Sequence, residues 1–292
     1  MKAFESFHPI LLFTYFLATI FITMFCFNPI VIALSFVAAA VFCGMLVGGR
    51  EIAKSLVYSF VMILLISVTN PLFSHNGETI LFFLNDNPVT LEAILYGVNV
   101  AVQIMAVIYW FKCYHEVMTS DKFIYLFGRV TPKLSLLLSM TINFIPKFKR
   151  HFTEIDEAQK TLGMYATKSF VDKIRQKIRV LGILISWSLE NSVQTADSMR
   201  ARGYGLKGRS SYSVFTWITR DSVTYAVILL LTGAACYLVT IVPNYSFYPT
   251  FAPLATDGFA VALYACLFVL MFLATFCEVK ENLSWRYLKS KI

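Results

Sequence analysis

The sequence predicts an all-α integral membrane protein with about six transmembrane helices and a cytoplasmic block of long amphipathic helices. Three observations carry that prediction. Of the 292 residues, 58% are apolar and only 14% are charged, far from the balance of a soluble domain. Apolar runs of near-spanning length recur along the chain, whereas 18 of its 25 basic residues fall between Lys112 and Arg220. Inside that block, the apolar residues return with a helical period instead of forming continuous runs.

Taken in order, spans are expected near Ile10 to Phe27, Ile30 to Val47, Ser55 to Asn70, Leu91 to Phe111, Ser222 to Val242 and Gly258 to Cys277. A bilayer core needs about 20 apolar residues per helix, so the shorter runs extend into their flanks. Asn28-Pro29 reads as a tight turn between the first two, and Gly48-Gly49-Arg50-Glu51 ends the second with breakers and charge. The first run lacks a small-residue cleavage site and is read as a retained span rather than a signal peptide. No Lys or Arg occurs from Ser55 to Phe111 or from Asp221 to Val279, so the loops around His75 to Pro88 and Pro243 to Asp257 are expected outside. Lys2, Arg50, Lys54, the basic block and the tail from Lys280 to Lys291 then fall inside, which puts both termini in the cytoplasm. The chain divides into N-terminal membrane helices (1–111), a cytoplasmic or interfacial block (112–220), and C-terminal membrane helices with a short tail (221–292).

Within the block, Phe148, Phe152, Ile155 and Leu162 recur among Lys149, Arg150, Glu154, Asp156 and Glu157. A second stripe runs through Leu181, Leu184, Ile185, Leu189, Val193, Ala196 and Met199. Such stripes pack on each other, lie in the lipid interface or present an apolar face to a partner, and spacing alone leaves these alternatives open. Each proline denies a backbone donor and disfavours helix in the residue before it. Pro132 and Pro146 are therefore expected to divide the block into segments near 120–130, 133–163 with a break at Pro146, and 170–203.

The net charge of +8 is regional: residues 112 to 220 hold 18 basic and 8 acidic side chains, and the rest of the chain holds 7 and 9. A basic face beside membrane spans serves topology and contact with anionic headgroups, and no nucleic-acid-reading module accompanies it. The six cysteines form no CxxC pair, and the four histidines show no metal-ligand spacing, so neither metal nor cofactor is expected. Gly203 to Ser210 matches GxGxxG and nearly matches a phosphate loop. Both matches fail on context, because a phosphate loop needs a preceding strand and a following helix. The expected structure is a helix C-terminus capped by glycine, and the chain has no ATP site of its own.

Beside that cap stands Met199-Arg200-Ala201-Arg202-Gly203-Tyr204. With it go Asn70-Pro71-Leu72-Phe73 through Gly77 and Leu81, Thr90-Leu91-Glu92-Ala93 with Tyr96-Gly97, Phe144-Ile145-Pro146, Glu157-Ala158-Gln159 and Ala196-Asp197. In these fragments the chain resembles the transmembrane T component of energy-coupling factor transporters, the EcfT/CbiQ family. The resemblance implies a non-catalytic subunit of a bacterial plasma-membrane importer for vitamins or metal ions. Its implied partners are two cytoplasmic ABC ATPases and a membrane-embedded substrate-capture S component.

In that family, two short Ala-Arg-Gly-like motifs at the ends of coupling helices each dock into one ATPase. The resemblance assigns the second to Ala201, Arg202 and Gly203. It assigns the first to Thr161, Leu162 and Gly163, where leucine replaces arginine. Phe148, Phe152, Ile155, Leu181, Leu184, Ile185, Leu189 and Val193 are then expected to face the S component. The alternative from another class is a self-contained secondary permease, which calls for ionisable residues inside the spans and internal repeats. Only Glu92, at the start of the fourth span, and the polar Gln103 come near that requirement.

Overall fold

The computed structural model describes residues 4–74, 76–84, 87–128, 131–163, 170–206, 215–243, 245–249, 251–253 and 255–289. A 3-10 turn, Phe4–Ser6, precedes α1 (Pro9–Phe25), α2 (Pro29–Val47), α3 (Gly49–Phe73), α4 (Leu91–Val117), α5 (Ser120–Gly128), α6 (Pro132–Thr161), α7 (Phe170–Ala201), α8 (Thr219–Ile241) and α9 (Gly258–Lys289). Strands β1 (Ile80–Leu84) and β2 (Asn87–Thr90) pair antiparallel between α3 and α4. The chain divides into a membrane unit, Met1–Phe123 with Phe215–Ile292, and a second unit, Ile124–Val214.

Among the described residues, α2, α3, α4, α8 and α9 are long and apolar enough to cross a membrane, while α1, at 17 residues, is shorter. At Asn28-Pro29 the asparagine side chain accepts from the Ile30 N–H at 3.0 Å and proline occupies the first helical position, where its missing donor costs nothing. Two boundaries differ from expectation. α3 begins directly after Gly48, so Arg50 and Glu51 open that helix instead of closing α2. The hairpin Ile80–Thr90 was not foreseen, because its Phe-rich first strand reads equally well as loop or membrane-interface sequence.

The core of the membrane unit is aromatic. The rings of Phe4, Tyr15, Phe16, Phe42 and Trp110 meet edge-on or tilted at centroid distances of 5.3 to 6.4 Å. Their polar atoms find partners inside the protein, as a setting without water demands. The Tyr15 hydroxyl donates to the Met271 carbonyl (2.9 Å), and Trp110 Nε1 donates to Ser35 Oγ (2.9 Å). Gln103, a polar residue in mid-span, donates to the carbonyls of Thr23 and Met24 at 3.0 and 2.8 Å and so ties α4 to the end of α1.

The α3–α4 contact explains several sequence fragments at once. Pro71 lies inside α3 and cannot donate to the Ser67 carbonyl one turn back. Gly97 of α4 packs against that carbonyl: a Cβ placed there would lie 3.0 Å from it and 2.9 Å from Asn70 Cβ. Asn70 Nδ2 donates to the Ala93 carbonyl at 2.7 Å, fixing the register of the two helices.

In the second unit, α6 and α7 pack antiparallel. Phe148 meets Trp187 at 5.9 Å, Lys177 reaches Asp156 at 2.8 Å, and Thr131–Leu134 share a groove with Tyr204–Leu206. Contrary to expectation, Pro146 does not break α6, which runs unbroken from Pro132 to Thr161. Its ring sits on an exposed face, and Phe144 and Phe148, two residues to either side and one turn from each other, pack 5.9 Å apart. Packing on either side of the proline therefore outweighs the single lost hydrogen bond.

Candidate functional site

The residues assigned to docking form two helix ends with one local design. α7 closes in a Schellman cap: the Gly203 N–H donates to the Arg200 carbonyl (2.9 Å) and the Tyr204 N–H to the Met199 carbonyl (3.0 Å). Gly203 has φ +80°, a conformation that a side chain would oppose. At the end of α6, the Gly163 N–H donates to the Lys160 carbonyl (3.0 Å) and Gly163 has φ +71°. Arg202 and Leu162 therefore hold the same position, the last residue before a left-handed glycine, and both are exposed. Leu162 is 72% accessible, so its side chain stands free to meet a partner.

Because α6 and α7 run antiparallel, these two caps lie at opposite ends of the pair. Leu162 stands at one end; the turn after Arg202 shares its groove with the start of α6 at the other. At 1.5 Å per residue, the length of α6 separates them by about 40 Å. One cap carries a guanidinium and the other an isobutyl group. The glycine run that resembles a phosphate loop begins as this helix cap, and its residues 207–210 lie outside the described residues.

The predicted apolar stripes divide between two environments. Leu184 is buried, Phe148 packs against Trp187, Phe152 lies 5.1 Å beneath Lys177 Nζ, and Ile155 is half-buried. Leu181, Ile185, Leu189 and Val193 are instead exposed, the last three by 60% or more, and Ile174 and Ile178 continue their row. α6 adds exposed Leu134, Leu137 and Ile145. The division follows from helical geometry: Val180, Leu184 and Trp187 share one face, and residues one position later are turned by about 100°.

Sequence reasoning missed the polar clamp of this unit. Asp156, 6% exposed, accepts from Lys177 across the pair (2.8 Å) and from Lys160 one turn along its own helix (2.9 Å). The His151 ring lies 4.0 Å from that of Trp187, and its Nδ1 is 2.9 Å from Glu154. An acidic residue between apolar neighbours at helical spacing was the available signal. Glu92 is occupied as well: its carboxylate accepts from the Thr79 N–H at 3.3 Å and from the Thr79 hydroxyl, tethering the loop before the hairpin to α4. It thus serves as a structural tether.

A family model described as CbiQ, cobalt transport protein, matches residues 7–214. The energy-coupling factor transporter transmembrane protein EcfT of Streptococcus thermophilus is 32% identical over 108 residues, 36% of this chain and 41% of the relative. The protein of the same name from Lactococcus lactis is 34% identical over 102 residues, 34% of this chain and 38% of the relative. The chain therefore aligns with about two fifths of the length of these relatives. The family match, by contrast, runs from the turn before α1 to beyond the capped end of α7, and the chain belongs to the EcfT/CbiQ family of transporter transmembrane components.

Proposed function

We propose that this chain is the coupling subunit of an energy-coupling-factor-type importer for a vitamin or a metal ion. It carries no catalytic residue. Two partner ATPases supply hydrolysis at the cytoplasmic face, where both termini also lie, and a membrane-embedded S component captures the substrate. The observation that carries the reading is the pair of exposed, similarly capped helix ends at opposite ends of one antiparallel pair. Each ATPase takes one end, so closure of the ATPases displaces the two ends relative to each other. Rigid helices transmit that displacement to the exposed row Leu181, Ile185, Leu189 and Val193, which faces the S component. Phe148, Phe152, Ile155 and Leu184 support that face from within the pair.

Arg202 supplies a planar, multi-donor contact to one ATPase, while Leu162 supplies an apolar contact to the other, so the two ATPases dock by different chemistry. Replacing Arg202 by Glu should abolish copurification of the ATPase that docks at that end and leave the protein in the membrane. Retained ATPase binding and transport in that variant would refute the docking assignment. Leu162→Arg tests the asymmetry: marked weakening of one ATPase contact shows that leucine is itself the contact, and unchanged binding shows that the position is not read.

A further inference from the structure

One end of the membrane unit gathers several buried charges around the segment Phe4–His8. The Phe4 N–H donates to Glu278 Oε2 at 3.0 Å, and Glu278, on α9, is 3% exposed. The Phe4 ring is wedged among Phe7, Tyr15, Phe16 and Phe42. The Glu5 carbonyl accepts from Lys122 Nζ at 2.6 Å, and the same ammonium donates to the Val117 carbonyl at the end of α4 (3.0 Å). Ser6 Oγ accepts from Arg220 at 3.1 Å, and that guanidinium lies 4.1 Å over the Phe7 ring. The His8 ring lies 4.5 Å from Trp217.

These contacts have a common topology. Lys122 stands where the chain leaves the membrane unit for residues 124–214, and Trp217 and Arg220 stand where it returns. Five consecutive residues therefore touch both roots of the second unit and also α9. Lys122 is only 6% exposed, and burial lowers its pKa below the ordinary lysine value, opposed by the nearby Glu5. Placing an ammonium there is costly unless its donors are satisfied. A lysine needed only to offset the α4 helix dipole would meet the Val117 carbonyl without also reaching Glu5.

We propose that Phe4–His8 is a latch: Lys122 and Arg220 clip both roots of the coupling block onto it, and Glu278 clips it to α9. Displacement arriving from the docked helix ends is then carried along the coupling helices and is not dissipated where the chain enters and leaves the membrane unit. Lys122 is a positioning residue in this scheme. The role of the latch in transport rests on the coupling function proposed above; its existence does not.

Lys122→Met in the full-length chain, followed by amide hydrogen exchange, tests the latch without any partner. Losing the two charge-assisted bonds should speed exchange about ten- to a hundredfold in residues 4–8 and also in 216–221, with α2 and α4 unchanged. Faster exchange confined to 118–123 would overturn the proposal and reduce Lys122 to a local cap of α4. Should that variant fail to insert, Ser6→Ala carries the same comparison through the Arg220 arm, with a smaller rise expected in both segments and none overturning the latch. In the assembled complex, Lys122→Met should keep ATP hydrolysis while substrate imported per ATP falls several-fold; an unchanged ratio overturns the role in coupling. Failure of the unmodified chain to bind ATPases would refute the coupling function and leave the exchange result to decide the latch.

Discussion

Replacing Gly97 by alanine should force α3 away from α4. The added Cβ would lie 2.9 Å from Asn70 Cβ, 3.0 Å from the Ser67 carbonyl oxygen and 3.4 Å from Ser67 Cα. Two of those atoms are backbone, so no rotamer change relieves the clash and the helices must separate. Overpacking of that kind costs about 1–3 kcal/mol. Separation also stretches the 2.7 Å bond from Asn70 to the Ala93 carbonyl, worth about 1 kcal/mol. Alanine returns roughly 1 kcal/mol in helix propensity, leaving a net loss of about 1–3 kcal/mol. At about 2–4 °C per kcal/mol, the midpoint of thermal unfolding of the purified protein should fall by roughly 2–12 °C. Gly233→Ala is the matched control: it lies in α8, where a Cβ meets nothing within 4 Å, and its midpoint should stay level or rise. If Gly97→Ala rises alongside Gly233→Ala, the close approach of α3 and α4, and with it the account of the Asn70-Pro71 and Gly97 fragments, is wrong.

Asp156→Ala removes the acceptor shared by Lys177 and Lys160. It should weaken the α6–α7 pairing by about 1–3 kcal/mol, read as faster exchange in the turns around Phe152 and Val180; unchanged exchange would show that the aromatic contacts suffice. Gly203→Val places a β-branched residue at φ +80°, costing about 1–2 kcal/mol, so residues 198–202 should lose protection and ATPase affinity should fall although Arg202 is intact. Glu92→Ala leaves the Thr79 N–H and hydroxyl without their acceptor, and proteolysis near residues 76–79 should accelerate while α4 remains protected. A cleavage rate equal to that of the unmodified chain would refute the tether.

Much of the fold could be read from local chemistry. Asn28-Pro29 and Ala201-Arg202-Gly203 mark helix ends through cap residues acting within a few positions, so both are found where the sequence places them. The apolar runs mark the spans because bilayer thickness fixes the length of a crossing helix. Where a local signal competes with distant packing, it misleads. Pro146 reads as a break, yet α6 continues because Phe148 and its neighbours pack on both sides of it. The second stripe reads as one apolar face, yet Leu184 turns inward while Ile185 and Leu189 stay exposed, since only the position of α6 decides which side of α7 is covered.

By itself, the sequence determined the membrane class, the order of the helices, their caps and the regional charge, because hydropathy, periodicity and capping each act over a single turn or a single span. The tertiary structure alone decided that Gly97 opposes the carbonyl freed by Pro71, that Asp156 is a buried clamp, and that Phe4–His8 binds both roots of the coupling block. These pairings join residues from 21 to 214 positions apart, and a chain's local pattern records what each residue prefers without recording which distant residue satisfies it.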